Sequence, residues 1–235
     1  MPERLSPSLQ QAYEAARDRA LKGAASVARD VRRPSRSLTA RESPAIIAEI
    51  RHAERLALRD WAERCGFLVD DAAFTAKWES QGRISGQEND VFLDAGRVRK
   101  RNNLTFHLTY VDFFDRLALH NLLFPGAPVR FEGFTGSPAL YPVFSQPFIL
   151  AARGARRDEV ERFMDRAGYI RIRGDDYQNR EGILIEDVHD ENAFIDDAGD
   201  LIVVDPVIYV ADHRPVSKTG SSSSRHPSRK SLRPR

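Results

Sequence analysis

The spacing of apolar residues along the chain changes several times, and each change predicts the boundary of an element. Residues 8–32 are rich in Ala, Leu, Arg and Glu and predict a first helix. Residues 44–65 predict a second helix, because apolar side chains recur there every three or four positions. Ser43 and Pro44 supply a start signal, and Gly66 follows the predicted end.

Beyond the second helix the pattern changes to short strands and turns, from residue 67 to residue 106. Residues 91–93 and 98–100 flank Asp94-Ala95-Gly96 and predict a β-hairpin. Further elements are predicted as helices over 109–123 and 156–167, two strands within 128–149, and strands and turns from 168 to 210. Helices at the start followed by strand-rich blocks predict an α+β fold.

Composition and charge narrow the class of protein. Of the 235 residues, 41% are hydrophobic and 30% are charged, which fits one globular domain with an extension. The formal net charge is only +2, yet seven Lys and Arg residues and no acidic residue follow Asp212. Disorder is expected over this basic tail, residues 213–235. The tail could contact nucleic acid or a membrane surface, but it lacks interleaved aromatic residues, so a solvated tail is the simpler interpretation.

Cysteine content and the N-terminal residues bear on the compartment. Cys65 is the only cysteine, which excludes an intrachain disulfide and favours a reducing cytoplasm. Its place at the end of an apolar helix predicts a buried side chain rather than a nucleophile. The N-terminal residues are polar and predict no secretory signal, and no apolar run approaches the ~20 residues that span a bilayer.

The strongest chemical signal is an acidic segment between residues 183 and 206. A predicted hairpin within it turns near Ala198, and Asn192 and Asp205 lie at nearly equal sequence distance on either side. Antiparallel pairing would bring both residues to the open end of that hairpin, and Asp187 would reach the same edge from the preceding strand. Carboxylate and amide oxygens are suitable ligands for Mg²⁺, which usually keeps substrate phosphates as further ligands.

A solvated acidic turn is the alternative, because Asp and Asn are ordinary turn residues. We prefer that interpretation for Asp196, Asp197 and Asp200. It does not suit Asp205, which interrupts an apolar run in which a carboxylate without a partner is costly.

The spacing of these polar residues resembles that of protein-kinase-like phosphotransferases, in which an Asp is followed by an Asn and, after an apolar strand, by a second Asp. Here Asn192 comes five residues after Asp187, and Asp205 comes thirteen residues after Asn192. Asp187 matches the catalytic-loop Asp, which is the family's base, and the other two match its metal ligands. His189 is similar to the histidine in the loop of aminoglycoside and choline kinases.

The wider chain, over about residues 60–210, resembles the kinase domain of bacterial polyvalent proteins of phages and conjugative elements. The resemblance lies in Gly86-Gln87-Glu88, Val98-Arg99-Lys100, Phe114 to Leu117, His120-Asn121, Glu132 to Phe134, Gln146 to Phe148 and Gly168-Tyr169. It implies a small bilobal protein-kinase-like fold over 66–212, preceded by an N-terminal helical extension over 1–65. Only thirty residues follow Asp205, so a reduced C-lobe is expected.

The resemblance also implies roles for single residues. Lys100 resembles the strand lysine that holds the nucleotide's phosphates. Val98 would lie under the adenine on the same strand face, and Gly86 would belong to the loop that covers the phosphates. Gln146 and Phe148 would belong to the hinge that binds adenine. The alternatives are an exposed strand-end cation for Lys100 and a plain buried strand for the hinge.

The chain departs from the kinase pattern at three places. The His-Arg pair that usually precedes the catalytic Asp187 is absent. Pro206 follows Asp205, so the usual Asp-Phe-Gly flip is not expected. The helix carboxylate that pairs with the strand lysine has no clear match, although Asp112 or Asp115 could serve.

Together the residues and the resemblance imply an ATP- and Mg²⁺-dependent phosphotransferase acting on an unidentified protein or small-molecule acceptor. In it Lys100 holds phosphates, Asn192 and Asp205 hold Mg²⁺, and Asp187 is the base. A pseudokinase that binds nucleotide or a protein without chemistry is the alternative. A third possibility keeps the fold but transfers the nucleotide part of ATP.

Overall fold

The structure is a computed structural model that describes residues 6–8, 11, 18–31, 43–136, 138–150 and 153–210. The helices are α1 (Arg19–Val31), α2 (Pro44–Cys65), α3 (Asp71–Ser80), α4 (Tyr110–Leu123) and α5 (Arg157–Arg166). The strands are β1 (Asn89–Asp94), β2 (Arg97–Asn102), β3 (Arg130–Thr135), β4 (Tyr141–Pro147), β5 (Arg153–Gly154), β6 (Tyr169–Arg173), β7 (Asp176–Asn179), β8 (Ile183–Glu186), β9 (Ala193–Ile195), β10 (Leu201–Val203) and β11 (Val207–Val210). The α+β class predicted from the sequence is confirmed.

The strands form three antiparallel sheets, with orders β1-β2-β4-β3, β10-β9-β5 and β11-β8-β7-β6. The hairpin predicted around residues 94–96 is confirmed as β1 and β2, in which Leu93 stands opposite Val98. Ala95 and Gly96 both have positive φ angles, 48° and 75°, as a two-residue turn between antiparallel strands requires. The hairpin places the strand that carries Lys100 next to β4 in the middle of the first sheet.

Helix α2 begins and ends as its sequence predicts. The Ser43 hydroxyl accepts a hydrogen bond from the Ile46 amide, and Gly66 ends the helix in the left-handed conformation with φ 72°. The prediction of a buried Cys65 is wrong, because its side chain is exposed. The buried side of α2 follows a line of residues four apart, ending at Ala62, and Cys65 lies off that line.

Helix α3 was not expected, because the sequence between residues 67 and 106 predicts only strands and turns. The Asp70 carboxylate starts the helix by accepting hydrogen bonds from the amides of Ala72 and Ala73. Phe74 is its one fully buried side chain. A helix with so little buried surface has no repeating apolar position, so its sequence lacks the periodic signal.

The N-terminal helices share a hydrophobic core with the rest of the described chain. Ala24 and Ala28 of α1 and Leu58 of α2 are fully buried in the same cluster as Phe114 and Leu119 of α4. The small alanine side chains let α1 approach α2 and α4 closely. The division at residues 65 and 66 stays a prediction, but the extension and the following sheets form one packed body.

Charged residues of the N-terminal helices fix the position of α4. The buried Glu54 carboxylate of α2 accepts a hydrogen bond of 2.8 Å from the Tyr110 amide, where a negative charge is favourable at a helix N-terminus. Asp115, in the middle of α4, forms an ion pair with Arg29 of α1. Arg51 of α2 donates to the backbone carbonyls that precede α4. These contacts fix α4 and the segment before it against α1 and α2.

The basic tail over residues 213–235, for which the sequence predicts disorder, lies outside the described residues. Within the described ranges, no helix has both the length and the apolar character needed to cross a bilayer.

Candidate active site

A cleft of about 480 Å³ lies between the first sheet, helix α4 and the acidic segment. The residues to which the sequence assigns phosphate, metal and base roles line it, namely Gly86, Lys100, Asp187, Asn192 and Asp205. They come from the loop before β1, from β2, and from the turns that follow β8 and flank β9 and β10. The fold therefore brings together polar residues that are more than a hundred positions apart in sequence.

Lys100 is buried at the back of the cleft, with 3% of its side chain exposed. Its ammonium group bonds to the Asp205 carboxylate, which is 46% exposed. A buried cation without a partner is costly, so this ion pair explains how Lys100 is tolerated in the sheet. The alternative of an exposed strand-end cation is wrong. Lys100 is a cation held next to an acidic group that faces open space.

Two aspartate residues that line the cleft have unusual backbone conformations. Asp187 has φ 66° and Asp205 has φ 54°, and both lie just beyond the ends of strands. The left-handed region is uncommon for residues other than glycine, and such positions concentrate at functional sites. Here they turn the chain so that both carboxylates line the cleft.

The hairpin register differs slightly from the sequence expectation. Strands β9 and β10 pair antiparallel as predicted, with Ala193 opposite Val203. The Val204 amide donates to the Asn192 carbonyl at 2.8 Å, so Asn192 stands opposite Val204 and Asp205 lies one residue further. Both side chains still line the same cleft.

Asp187 is held by two neighbours on its own loop. The His189 Nε2 atom lies 3.1 Å from Asp187 Oδ1, and the Asn192 amide group donates to the Asp187 carbonyl at 2.9 Å and to Oδ2 at 3.2 Å. Because the NH₂ group of Asn192 faces Asp187, its side-chain oxygen is the atom that could contact a metal ion. These bonds fix the orientation of a carboxylate whose side chain is 48% exposed.

The residues expected around adenine lie on β2, on β4 and just after β4. Val98 is two positions before Lys100 on the same strand face and stands opposite Gln146 of β4. Gln146 is 4% exposed, and among the described residues its Oε1 atom has no hydrogen-bond partner. Phe148 is 48% exposed after the end of β4. None of the three is among the residues that line the 480 Å³ cleft, and their role stays a prediction.

Neither helix carboxylate suggested by the sequence is the partner of Lys100, which bonds to Asp205 instead. Asp115 is paired with Arg29, and Asp112 accepts a hydrogen bond from the Thr109 hydroxyl at the start of α4. The face of α4 towards the cleft instead carries a cation and an imidazole, Arg116 and His120.

Sequence reasoning missed a polar network centred on Glu88. Its Oε1 atom lies 2.7 Å from His107 Nε2, 3.0 Å from Asn102 Nδ2 and 3.1 Å from Arg116 Nη1. Burial opposes ionisation of Glu88, but the His107 hydrogen bond, the Arg116 charge and the Asn102 hydrogen bond together lower its pKa to about 2. Glu88 is therefore a carboxylate at neutral pH. Glu88 and Arg116 lie within segments that carry the family resemblance, but the sequence assigned neither residue a role.

His120 is a neutral residue under the cleft. It is 5% exposed, and its Nε2 atom lies 2.8 Å from the Ala127 carbonyl, to which it donates. Burial lowers the pKa of His120 to about 4, because charging the ring would require desolvating a cation. His107 is affected in the same direction, chiefly by burial.

Acid is expected to destabilise the protein through His120 well before the carboxylates are protonated. Above its ordinary pKa of 6.5 both folded and unfolded chains carry neutral imidazole, so full stability is present. As pH falls towards the folded value of about 4, only the unfolded chain gains the proton. Because this proton uptake favours the unfolded chain, it should lower the free energy of unfolding by about 2 kcal/mol between pH 7 and pH 5. Urea titrations of wild type and His120→Gln should show a weaker pH dependence in the variant, and equal dependence would contradict the assignment.

Two of the side chains that line the cleft are candidate ligands for Mg²⁺. Across the described part of the chain, no cluster of three or more His, Cys, Asp and Glu side chains could hold a metal alone. Asp205 and Asn192 offer one carboxylate and one amide oxygen on the wall of one cleft. Mg²⁺ is usually held by one or two carboxylates and completes its octahedron with water and substrate phosphates. The residues fit a metal bound jointly with a nucleotide.

A sequence model of the family described as serine/threonine/tyrosine kinases found in polyvalent proteins matches residues 51–212, more than half of the chain. The chain belongs to this family. Among curated proteins and among solved structures, no significant match was found. Membership confirms the resemblance noted in the sequence and the small kinase-like α+β fold. The polyvalent-protein kinase match begins inside α2, so part of the helical extension belongs to the matched region.

Proposed function

We propose that the cleft binds ATP together with Mg²⁺ and that the protein transfers the γ-phosphoryl group to a hydroxyl acceptor. The observation that carries this proposal is the meeting of Lys100, Asp187, Asn192 and Asp205 on one cleft of about 480 Å³. Family membership supports kinase-like chemistry in general. The four residue types are those that kinases use to position phosphates, metal and acceptor.

The ion pair between Lys100 and Asp205 suggests how the site would receive its ligand. Lys100 would exchange the Asp205 carboxylate for phosphate oxygens, and the carboxylate would turn, with Asn192, towards the metal. Mg²⁺ would supply charge neutralisation at the phosphates. Lys100 and Asp205 would thereby each keep an oppositely charged partner, so binding would not leave the buried ammonium group unpaired.

Asp187 is placed to receive the acceptor. Its carboxylate is half exposed and is fixed by His189 and Asn192. In the transfer, the acceptor oxygen forms a bond to the γ-phosphorus, the bond from that phosphorus to the β–γ bridging oxygen breaks, and ADP leaves. The hydroxyl proton passes to Asp187. Most of the catalysis would come from positioning and charge.

Binding of Mg²⁺-ATP should stabilise the wild type and not two site variants. At a ligand concentration of about 100 Kd, stabilisation is expected to be about 2.7 kcal/mol. Lys100→Met and Asp205→Ala should lose this gain, measured for each variant as the difference between unfolding with and without Mg²⁺-ATP. Arg99→Met is the matched control, because Arg99 is adjacent in sequence but pairs with Glu132 outside the cleft. Equal stabilisation of Asp205→Ala and wild type would refute the proposal.

A nucleotide-binding pseudokinase is the second candidate, and two observations favour it. Lys100 is paired with Asp205 instead of a helix carboxylate, and α4 carries the cation Arg116 towards the cleft. Such a protein would bind Mg²⁺-ATP in the experiment above and transfer nothing. Parallel reactions use ATP labelled on the α- or the γ-phosphate. Transfer of the γ-label indicates a phosphotransferase, transfer of the α-label indicates transfer of the nucleotide part of ATP, and transfer of neither label indicates a pseudokinase.

A further inference from the structure

The loop before β1 and the start of β1 form a tight hairpin that lines the cleft. The Val91 amide donates to the Ile84 carbonyl at 2.8 Å, and the Gly86 amide donates to the Asn89 carbonyl at 2.9 Å. Residues 86–89, here called the covering loop, all line the cleft. The Asn103 amide donates to the Glu88 carbonyl at 2.9 Å and attaches the loop to the chain beyond β2.

Arg116 joins this loop to the segment that follows Asp205. Its Nη1 atom lies 3.1 Å from Glu88 Oε1, and its Nη2 atom lies 3.3 Å from the Pro206 carbonyl oxygen. The side chains of Arg116 and Glu88 are 18% and 15% exposed, so their ion pair is shielded more than a surface pair. Pro206 is adjacent to Asp205, so one guanidinium group contacts both the covering loop and the proposed metal-binding segment.

The guanidinium group is suited to this bridge in a way that an ammonium group is not. It is planar and presents several N–H donors in a fixed fork, so it can bond two acceptors in different directions at once. Helix α4 supplies the rigid base, since Glu54 and Arg29 hold it from the N-terminal helices. The covering loop, α4 and Asp205 are consequently connected through Arg116 rather than through an ion pair between Lys100 and the helix.

We propose that Arg116 is a positioning residue that couples the position of the covering loop to the orientation of Asp205, so that phosphate and metal are bound together. The inference rests on the proposed function, because it concerns the same cleft. Arg116 contacts neither the acceptor nor the reacting atoms in this role. It acts through Glu88 and through the backbone at Pro206.

The first test needs no ligand. Hydrogen exchange of the Gly86, Val91 and Asn103 amides should accelerate on the order of tenfold in Arg116→Met, because the loop loses its tether. Arg99→Met is the control, since it removes a comparable arginine–glutamate pair on the other side of the sheet and should leave these amides unchanged. Unchanged exchange in Arg116→Met would overturn the proposal whether or not nucleotide binds.

The second test measures the coupling with Mg²⁺-ATP. The Mg²⁺ concentration that gives half-maximal ATP binding should rise on the order of tenfold in Arg116→Met. Arg116→Lys should recover only part of the loss, because a single ammonium group does not match the two acceptors. A purely structural role would lower the unfolding temperature and leave the Mg²⁺ requirement unchanged.

The outcomes separate this inference from the proposed function. If wild type binds Mg²⁺-ATP, Lys100→Met does not, and Arg116→Met binds with unchanged Mg²⁺ dependence, the coupling is refuted and the nucleotide site stands. If wild type shows no binding, both fail. If Arg116→Met does not fold, Glu88→Gln is tested in its place. This substitution keeps the shape of the Glu88 side chain and removes its negative charge. Glu88→Gln should show the same two effects, reduced in size, and no effect would again overturn the coupling.

Discussion

Asp187→Asn is expected to lower γ-phosphoryl transfer on the order of a thousandfold, while Mg²⁺-ATP affinity stays within about threefold of wild type. The amide has the shape of the carboxylate but cannot accept the hydroxyl proton. The proposed phosphate and metal contacts use Lys100, Asn192 and Asp205, so nucleotide binding should survive the change. Loss confined to the chemical step is what distinguishes a base from a binding residue.

The measurement is transfer of label from γ-labelled ATP to the protein itself or to a cell lysate, with nucleotide binding followed in parallel. Asp197→Asn is the matched control, because it makes the same change in the β9–β10 turn, at a residue that does not line the cleft. A wild type that binds Mg²⁺-ATP without transferring label would establish the pseudokinase alternative. Equal transfer by wild type and Asp187→Asn would refute the role of Asp187.

Sequence spacing predicted the central part of the site because hairpin geometry is local. Once β9 and β10 pair, Asn192 lies at the open end of the hairpin opposite Val204, and Asp205 follows one residue beyond it. The ends of α2 were also predictable, since Ser43 and Gly66 act through neighbouring backbone atoms. Lys100 required the family resemblance, because a single lysine between two arginines on a strand carries no signal of its own.

The contacts that sequence reasoning missed depend on long-range packing. Arg116 contacts Glu88 and Pro206, which lie 28 and 90 positions away. No periodicity links such residues, and α4 could have turned Asp112 or Asp115 to the cleft. Its orientation follows from contacts with the N-terminal helices, including the pair between Asp115 and Arg29. The helical extension thus decides which face of α4 lines the candidate active site.

The other large effect concerns Gly133, where residues 67–69 pair in parallel with the outer strand of the first sheet. The Phe134 amide donates to the Phe67 carbonyl at 2.8 Å, and the Val69 amide donates to the Phe134 carbonyl at 2.7 Å. Gly133 lies at the irregularity in the pairing of β3 with β4 and has φ 135°. A Cβ atom there would lie 2.2 Å from the Phe67 carbonyl oxygen, so neither backbone can yield without losing these bonds.

Gly133→Ala should therefore lower the free energy of unfolding by about 3 kcal/mol or more, combining backbone strain with a clash against fixed backbone atoms. Urea denaturation at neutral pH measures the loss. Gly96→Ala is the matched control, because Gly96 also has a positive φ, 75°, but a Cβ there meets nothing within 4 Å. It should cost about 1 kcal/mol, the conformational penalty alone. If the two variants lose equal stability, the close approach of residues 67–69 does not constrain the sheet, and the junction between α2 and the lysine-bearing sheet must be held by other contacts.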